Sequence, residues 1–297
     1  MKSNRANFNF LLLAILIVTL FYLVTCVPET SRPVVETPQD LMLFVDKAVS
    51  AIKIDGETVF SAFRQPDSEW FHDDLYIFVW GTDGMRYVYP PDPEGEGTNM
   101  IDLKDSDNRP IGKMILNAVK NDKNSGWVHY RWPKPDASEP SWKSTYMAAV
   151  KAPSGLDYVI GSGLYDIPGD EYYVQEAVLS TAEILRNKST AYIDSMKSCR
   201  AQYIFYDSNI FIFTAAGDVL FNAVHPDKEN SNIHDFSDAG EKAFLLEMIN
   251  LLQDNEENWL NYTWQPSETN TAVTRRAYLI KLIQDNETII IGAAYNL

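Results

Sequence analysis

The sequence predicts an α+β fold present twice in tandem, each copy a long N-terminal helix packed on a roughly five-stranded antiparallel sheet, and three observations lead to it. The first is self-similarity at a nearly fixed offset, the mark of a duplicated unit. Gly84, Asn99, Asp102 and Asp105 recur 133 residues later as Gly217, Asn232, Asp235 and Asp238. Trp127, Tyr130, Trp132 and Tyr146 recur at an offset of 132 as Trp259, Tyr262, Trp264 and Tyr278, and Gly161 recurs at 131 as Gly292. The second observation is a helical apolar period at the start of each copy, and the third is a series of β-rich runs cut by turn residues behind it. With 297 residues, 45% of them apolar, the chain has enough material for about two domains with a core in each.

The N-terminal segment is of another kind. Lys2 and Arg5 precede the apolar run from Phe10 to Val24, which predicts a signal peptide or membrane anchor over residues 1–25. "LVTC", Leu23 to Cys26, resembles the lipobox of exported lipoproteins, in which the cysteine becomes the acylated N-terminus; Thr25 departs from the usual small residue at that place. With Cys26 lipidated, Cys199 is the one thiol left, so no intramolecular disulfide forms. Residues 26–40 carry Pro28, Pro33 and Pro38 without an apolar period and read as a tether. The first copy then spans 41–167 and the second, more divergent one 168–297.

Within the first copy, Leu41, Phe44, Val45, Ala48, Ile52, Val59 and Phe63 recur at steps of three, four and seven, one face of a helix. Val178, Leu185 and Tyr192 repeat that face in the second copy. "LYIFVW" and "IFIFT" read as strands, and the turns "GTDG" and "AAGD" lead each into a hairpin with "MRYVYP" and "VLFNAV". Small helices are expected over Ile111–Val119 and Lys242–Leu252. An aromatic strand follows in each copy, then a strand over Lys143–Val150 and its partner, then a last strand in "LDYVIGSGLY" and "TIIIGAAYN".

In this order the motifs resemble the single-Cache family of extracytoplasmic sensor domains. The resemblance is carried by the run from "FHDDLYIFVWGTDG" through "GTNMIDLKDSDNRPIGKMI", "GWVHYRWPKP" and "WKSTYMAAV" to "DYVIGSGLY", and it covers Phe71 to Tyr165. It implies a PAS-like sheet with a long N-terminal helix, and a small organic acid, amino acid or related metabolite bound on the sheet face away from that helix. The second copy departs from the pattern: Asn258 replaces the glycine before Trp259, Arg275 stands in place of lysine, and "GAAYN" replaces Gly-x-Gly-x-Tyr. Ligand is therefore expected in the first copy, and the second is expected to prefer a different ligand or bind none.

Alternation along the strand "WVHYRW" puts Val128, Tyr130 and Trp132 on one side and Trp127, His129 and Arg131 on the other. Tyrosine and tryptophan suit a pocket lining because each has a large apolar body and one polar tip. Lys143 and Tyr146 are expected to supply the convergent polar groups, an ammonium for a carboxylate and a phenol to donate to it. Tyr87 and Tyr89 are expected at the same pocket. The corresponding candidates in the second copy are Tyr262, Trp264, Arg275 and Tyr278.

A formal net charge of −16 argues against a nucleic-acid partner, since neutralising phosphates needs clustered lysine and arginine. His72, His129, His225 and His234 show no metal-ligand spacing, and "DLKDSDN" from Asp102 has Arg109 in its ligand region and no glycine behind it, so neither metal nor cofactor is expected. No nucleophile-and-base signature is present, and the expectation is a binding protein, not an enzyme. The function expected is a sensor without its own output domain, held outside the cytoplasm by a lipid or anchor helix and serving a membrane receptor or transporter. The alternative is a structural or adhesive surface lipoprotein whose pocket is lost.

Overall fold

In the computed structural model the described residues are 32–167, 171–235, 239–264 and 271–297. The expected signal segment, Cys26, most of the tether and Asp238 lie outside them. Among the described residues no helix is long and apolar enough to cross a membrane.

Helix α1 (Pro38–Asp55) starts where its chemistry dictates. Thr37 accepts a hydrogen bond from the Asp40 amide at 3.1 Å while the Asp40 carboxylate accepts from the Thr37 amide at 3.1 Å, a capping box that satisfies two orphan donors. The last three residues of the expected tether are thus helical. The single long helix expected through Phe63 breaks at Gly56, whose φ of 61° suits glycine, and a 3-10 turn leads into the short α2 (Phe60–Phe63). The second half repeats the break: α4 (Glu171–Lys188) ends before Ser189, at φ 62°, and α5 (Tyr192–Ser198) starts a new axis.

The first sheet is built from β3 (Phe78–Gly81), β4 (Arg86–Val88), β5 (Ser125–Pro133), β6 (Pro140–Lys151) and β7 (Asp157–Tyr165), in the antiparallel order β4-β3-β7-β6-β5. A small hairpin of β1 (Phe71–His72) and β2 (Leu75–Tyr76) precedes it, and α3 (Ile111–Ala118) lies between β4 and β5. The second sheet comprises β9 (Ser208–Thr214), β10 (Val219–Asn222), β11 (Glu257–Trp264), β12 (Val273–Gln284) and β13 (Glu287–Asn296), ordered β10-β9-β13-β12-β11, with β8 (Ile204–Phe205) added on β9. Helix α6 (Ala239–Leu251) takes the place of α3.

The duplication extends to the turns. Gly84 and Gly217, at φ 90° and 95°, close their hairpins with 2.9 Å bonds to Gly81 and Thr214. Asn99 and Asn232 each clamp that turn, donating to the Asp83 and Ala216 carbonyls. Glu96 and Glu229 hold the following loops, accepting from the Tyr89 and Asn222 amides and pairing with Arg64 and Arg200.

Each sheet is covered on both faces. One face of the first packs Val79, Ala148, Val150 and Ile160 against Leu41, Val45, Ala48 and Ile52 of α1; the other packs Phe78, Val128, Met147 and Val159 under Ile111, Met114 and Ile115 of α3. In the second half α4 covers one face through Val174, Val178 and Leu185, whereas among the described side chains of α6 only Met248, together with Leu252 just beyond the helix, is fully buried over the other. That thinner cover matters for the site. The halves also pack on each other. Trp127 meets Tyr172 and Tyr173 at ring distances of 5.9 and 5.1 Å, and His129 stacks on Phe205 at 5.1 Å. Arg109 lies 4.4 Å over the Trp142 ring and donates to the Ile204 carbonyl at 3.2 Å.

Candidate functional site

The α3-facing side of the first sheet carries an aromatic-lined cavity of about 20 Å³. β2 and β3 contribute Tyr76, Phe78 and Trp80, the β4 segment Arg86 and Tyr89, β5 Tyr130 and Trp132, and α3 Ile111 and Ile115. The phenols and indoles are tied to one another: Trp132 Nε1 donates to the Tyr89 hydroxyl at 2.9 Å and the Thr145 hydroxyl to that of Tyr130 at 3.0 Å.

Lys143, on β6, is 1% exposed. Its ammonium donates to the Tyr76 hydroxyl at 2.7 Å and that of Tyr165 at 3.3 Å, and lies 3.9 and 4.6 Å from the two ring centres. Among the described residues no carboxylate stands within ion-pair distance of it. Burial holds its pKa well below the ordinary lysine value, with Asp74 acting weakly the other way. Burial likewise pushes the Tyr76, Tyr130 and Tyr165 hydroxyls up, so all three remain protonated donors at neutral pH. Gly163 makes room for this lysine: a Cβ there would lie 2.4 Å from Lys143 Cε.

Of the residues expected at this pocket, Tyr89, Tyr130 and Trp132 line it, and Lys143 lies one phenol behind it, against Tyr76. Tyr146 and Tyr87 do not. Residues three apart on a strand face opposite ways, so Tyr146 packs on the α1 side, 5.2 Å from Trp127, while Lys143 faces the cavity side. Tyr87 is turned to the same α1 side by a register shift opposite Val79 and Trp80, and packs 5.3 Å from Tyr158. Sequence reasoning missed Tyr76, Arg86 and Tyr165. Arg86 was visible as the alternate of Tyr87, and Tyr165 ends the Gly-x-Gly-x-Tyr motif. Arg86 is buried, 4.3 Å over the Tyr89 ring, and its Nε has no hydrogen-bond partner.

The second half holds the larger cavity, about 300 Å³ in the corresponding place. Tyr262, Trp264 and Arg275 line it, with Tyr206, Ser208, Phe211, Phe213, Phe221 and Phe244. Tyr278 is on the other face, donating to Glu257 at 2.6 Å and packing 4.9 Å from Trp259, for the same reason as Tyr146. Arg275 Nη2 donates to the Asp207 and Ala294 carbonyls, each at 2.7 Å. Free space is thus larger in the second copy than in the first, about 300 against about 20 Å³.

A family model described as "Cache domain" matches residues 57–206 and 179–296. The methyl-accepting chemotaxis protein McpP of Pseudomonas putida (strain KT2440) is 33% identical over 94 residues, which is 32% of this chain and 16% of that protein's length. Among solved structures, a methyl-accepting chemotaxis protein from Vibrio parahaemolyticus shares 23% identity over 43% of this chain and 86% of its own, with a TM-score of 0.35. A Cache chemosensory domain solved for carboxylic acid recognition shares 25% identity over 43% of this chain and 84% of its own, with a TM-score of 0.33.

Proposed function

The chain belongs to the Cache domain family of sensory ligand-binding domains, and from that premise we propose that its first half binds a carboxylate of two or three carbons between Lys143 and the cavity beside it. The observation that carries this reading is the buried Lys143 amino group, with phenols around it and, among the described residues, no carboxylate within ion-pair distance. Burying a charge without a counter-ion is costly, and a ligand anion that supplies one is held by a charge-assisted hydrogen bond in a low-dielectric site. The about 20 Å³ of free space limits the ligand to the smallest acids, seated by a shift of the Tyr76 or Tyr165 ring. No aspartate or glutamate lines the cavity, so a plain or hydroxy acid fits better than an amino acid, whose ammonium would go unpaired. The reading is completed by an extracytoplasmic location, attachment to the membrane through Cys26 or an uncleaved anchor, and relay to a membrane receptor or transporter.

Titration calorimetry with acetate, propionate, pyruvate and lactate tests it. Saturable binding of at least one, lost in Lys143→Met while the far-ultraviolet circular dichroism is unchanged, supports the reading. No binding of any of the four leaves the surface-lipoprotein alternative standing.

A further inference from the structure

Two hairpins that the duplication made equivalent differ at one turn residue. β1 and β2 are joined by Asp73 and Asp74, with His72 opposite Leu75, and β8 and β9 by Tyr206 and Asp207, with Phe205 opposite Ser208. The first residue of each turn is left-handed, Asp73 at φ 49° and Tyr206 at φ 51°. Aspartate accepts that backbone because its short side chain can hydrogen-bond locally, whereas a tyrosine is disfavoured there. The second half therefore keeps Tyr206 in a conformation its own chemistry opposes, and the surrounding contacts hold it there.

Those contacts lie on two sides. Toward the first half, the Tyr206 ring stacks on Trp142 at 5.0 Å and its hydroxyl lies 2.8 Å from that of Ser144. Trp142 and Ser144 flank Lys143 on β6, so the hairpin tip grips the strand on either side of the buried lysine. Toward its own half, Tyr206 and Asp207 belong to the wall of the cavity of about 300 Å³. Asp207 is fixed there by Arg275, which donates to its carbonyl at 2.7 Å, and by the Asn296 amide, which donates to its carboxylate at 2.7 Å. Ile204, on the same wall, accepts from Arg109, itself 4.4 Å over the Trp142 ring. One short hairpin is thus both a wall of the second cavity and a clamp on the strand beside the first.

Burial makes the connection stiff. Ser144 is wholly buried and Lys143 is 1% exposed, and close-packed interiors shift between discrete arrangements instead of deforming smoothly. We propose that the tip formed by Tyr206 and Asp207 couples the two cavities: a body filling the second displaces Tyr206, and β6 shifts with it from Trp142 to Ser144. Coupling of binding free energies is reciprocal, so what fills one cavity changes affinity at the other by the same factor. The displacement rests on the hairpin geometry; its effect on small-acid affinity rests also on Lys143 being the carboxylate anchor.

Filling the second cavity by substitution tests the coupling without a ligand for it. Leu245, on α6, is part of the wall; Leu245→Trp adds bulk there, and Leu245→Phe is the milder companion should the larger ring prevent folding. Hydrogen–deuterium exchange of the full chain, read by mass spectrometry, follows peptides over 204–209 and 140–145, with 44–52 of α1 as the reference that global destabilisation would move. Filling is expected to change exchange roughly threefold or more at 204–209 and at 140–145, with 44–52 unchanged. In a Tyr206→Gly background, which suits the turn but removes the ring, the same filling should alter 204–209 and leave 140–145 as it was. Acetate affinity should shift roughly fivefold on filling, and not in that background. A response at 204–209 alone, or at neither segment, overturns the proposal, as does a 140–145 response that survives Tyr206→Gly or is matched at 44–52. Exchange responses as expected in a protein that binds no acetate would remove Lys143 as the anchor and leave the coupling standing.

Discussion

The Ser144 hydroxyl and the Tyr206 hydroxyl lie 2.8 Å apart across the joint between the two halves. Ser144 is fully buried, and its oxygen also meets His129 Nδ1 at 2.9 Å. Strand β6 therefore turns Lys143 toward the first cavity and, one residue on, Ser144 toward a residue that lines the second. Tyr206 is further pinned by stacking on Trp142 at 5.0 Å. Removing either hydroxyl tests how much this contact contributes. Tyr206→Phe deletes one member of a three-group chain and is expected to cost about 1 kcal/mol in urea unfolding. Ser144→Ala also strips His129 of its partner, and is expected to cost more, about 1–3 kcal/mol. A double-mutant cycle should give a non-zero coupling; additive effects would show that the hydroxyls do not interact in solution.

His129 makes the same joint sensitive to acid. Burial, reinforced by the nearby Arg109 guanidinium, lowers its pKa from 6.5 to about 3. Between those values the unfolded chain binds a proton that the folded one does not, so stability rises with pH and is lost as pH falls from 6.5 toward 3. The slope from this residue is at most about 1.4 kcal/mol per pH unit, and less to the degree that the ring edge remains in contact with water. Unfolding midpoints between pH 4 and 7 measure it. His129→Gln is expected to flatten the slope, and an equal slope in both proteins would place the acid sensitivity elsewhere.

Much of this architecture was legible because it rests on period and repetition. The duplicate offsets found the two sheets, and strand alternation put Val128, Tyr130 and Trp132 on one face. The misassigned residues have two physical causes. Tyr146 and Tyr278 were placed with Lys143 and Arg275 from their proximity in the motif, although a separation of three residues forbids a shared strand face. Tyr87 was lost to a register shift, which no side-chain pattern announces. The size of the open space in each copy was illegible for another reason. A motif identifies which residues face inward, but the volume left over depends on how deeply α3 and α6 seat, and that follows from packing across the whole face.

Gly163 offers a test of the first site that removes no polar group. Gly163→Ala puts a methyl 2.4 Å from Lys143 Cε and 2.5 Å from Thr145 Oγ1, so the lysine stem must leave its position over Tyr76. Binding of the small carboxylate is expected to fall at least roughly tenfold, while the far-ultraviolet circular dichroism stays unchanged. Unaltered acetate or pyruvate affinity in this variant would mean that the ammonium does not hold the ligand.

The depressed lysine pKa gives the last prediction, in which binding and stability carry opposite signs. In the free protein, burial favours the neutral amine of Lys143. A bound carboxylate favours the ammonium, so ligand raises the pKa and takes up a proton. Calorimetric enthalpies in buffers of different ionisation heat should reveal that uptake, up to one proton per ligand, and affinity should weaken as pH rises above the lysine's pKa in the free protein. Without ligand the sign reverses. The unfolded lysine, with its pKa near 10.4, holds a proton over a pH range in which the folded one does not, so its contribution to stability improves as pH rises through that interval. Lys143→Met removes the penalty and should raise the melting temperature of the free protein, more at pH 6 than at pH 9, while abolishing stabilisation by the small acid. A variant less stable than the parent at both pH values would mean that the ammonium contributes to the fold through its phenol partners and not as a charge waiting for a ligand.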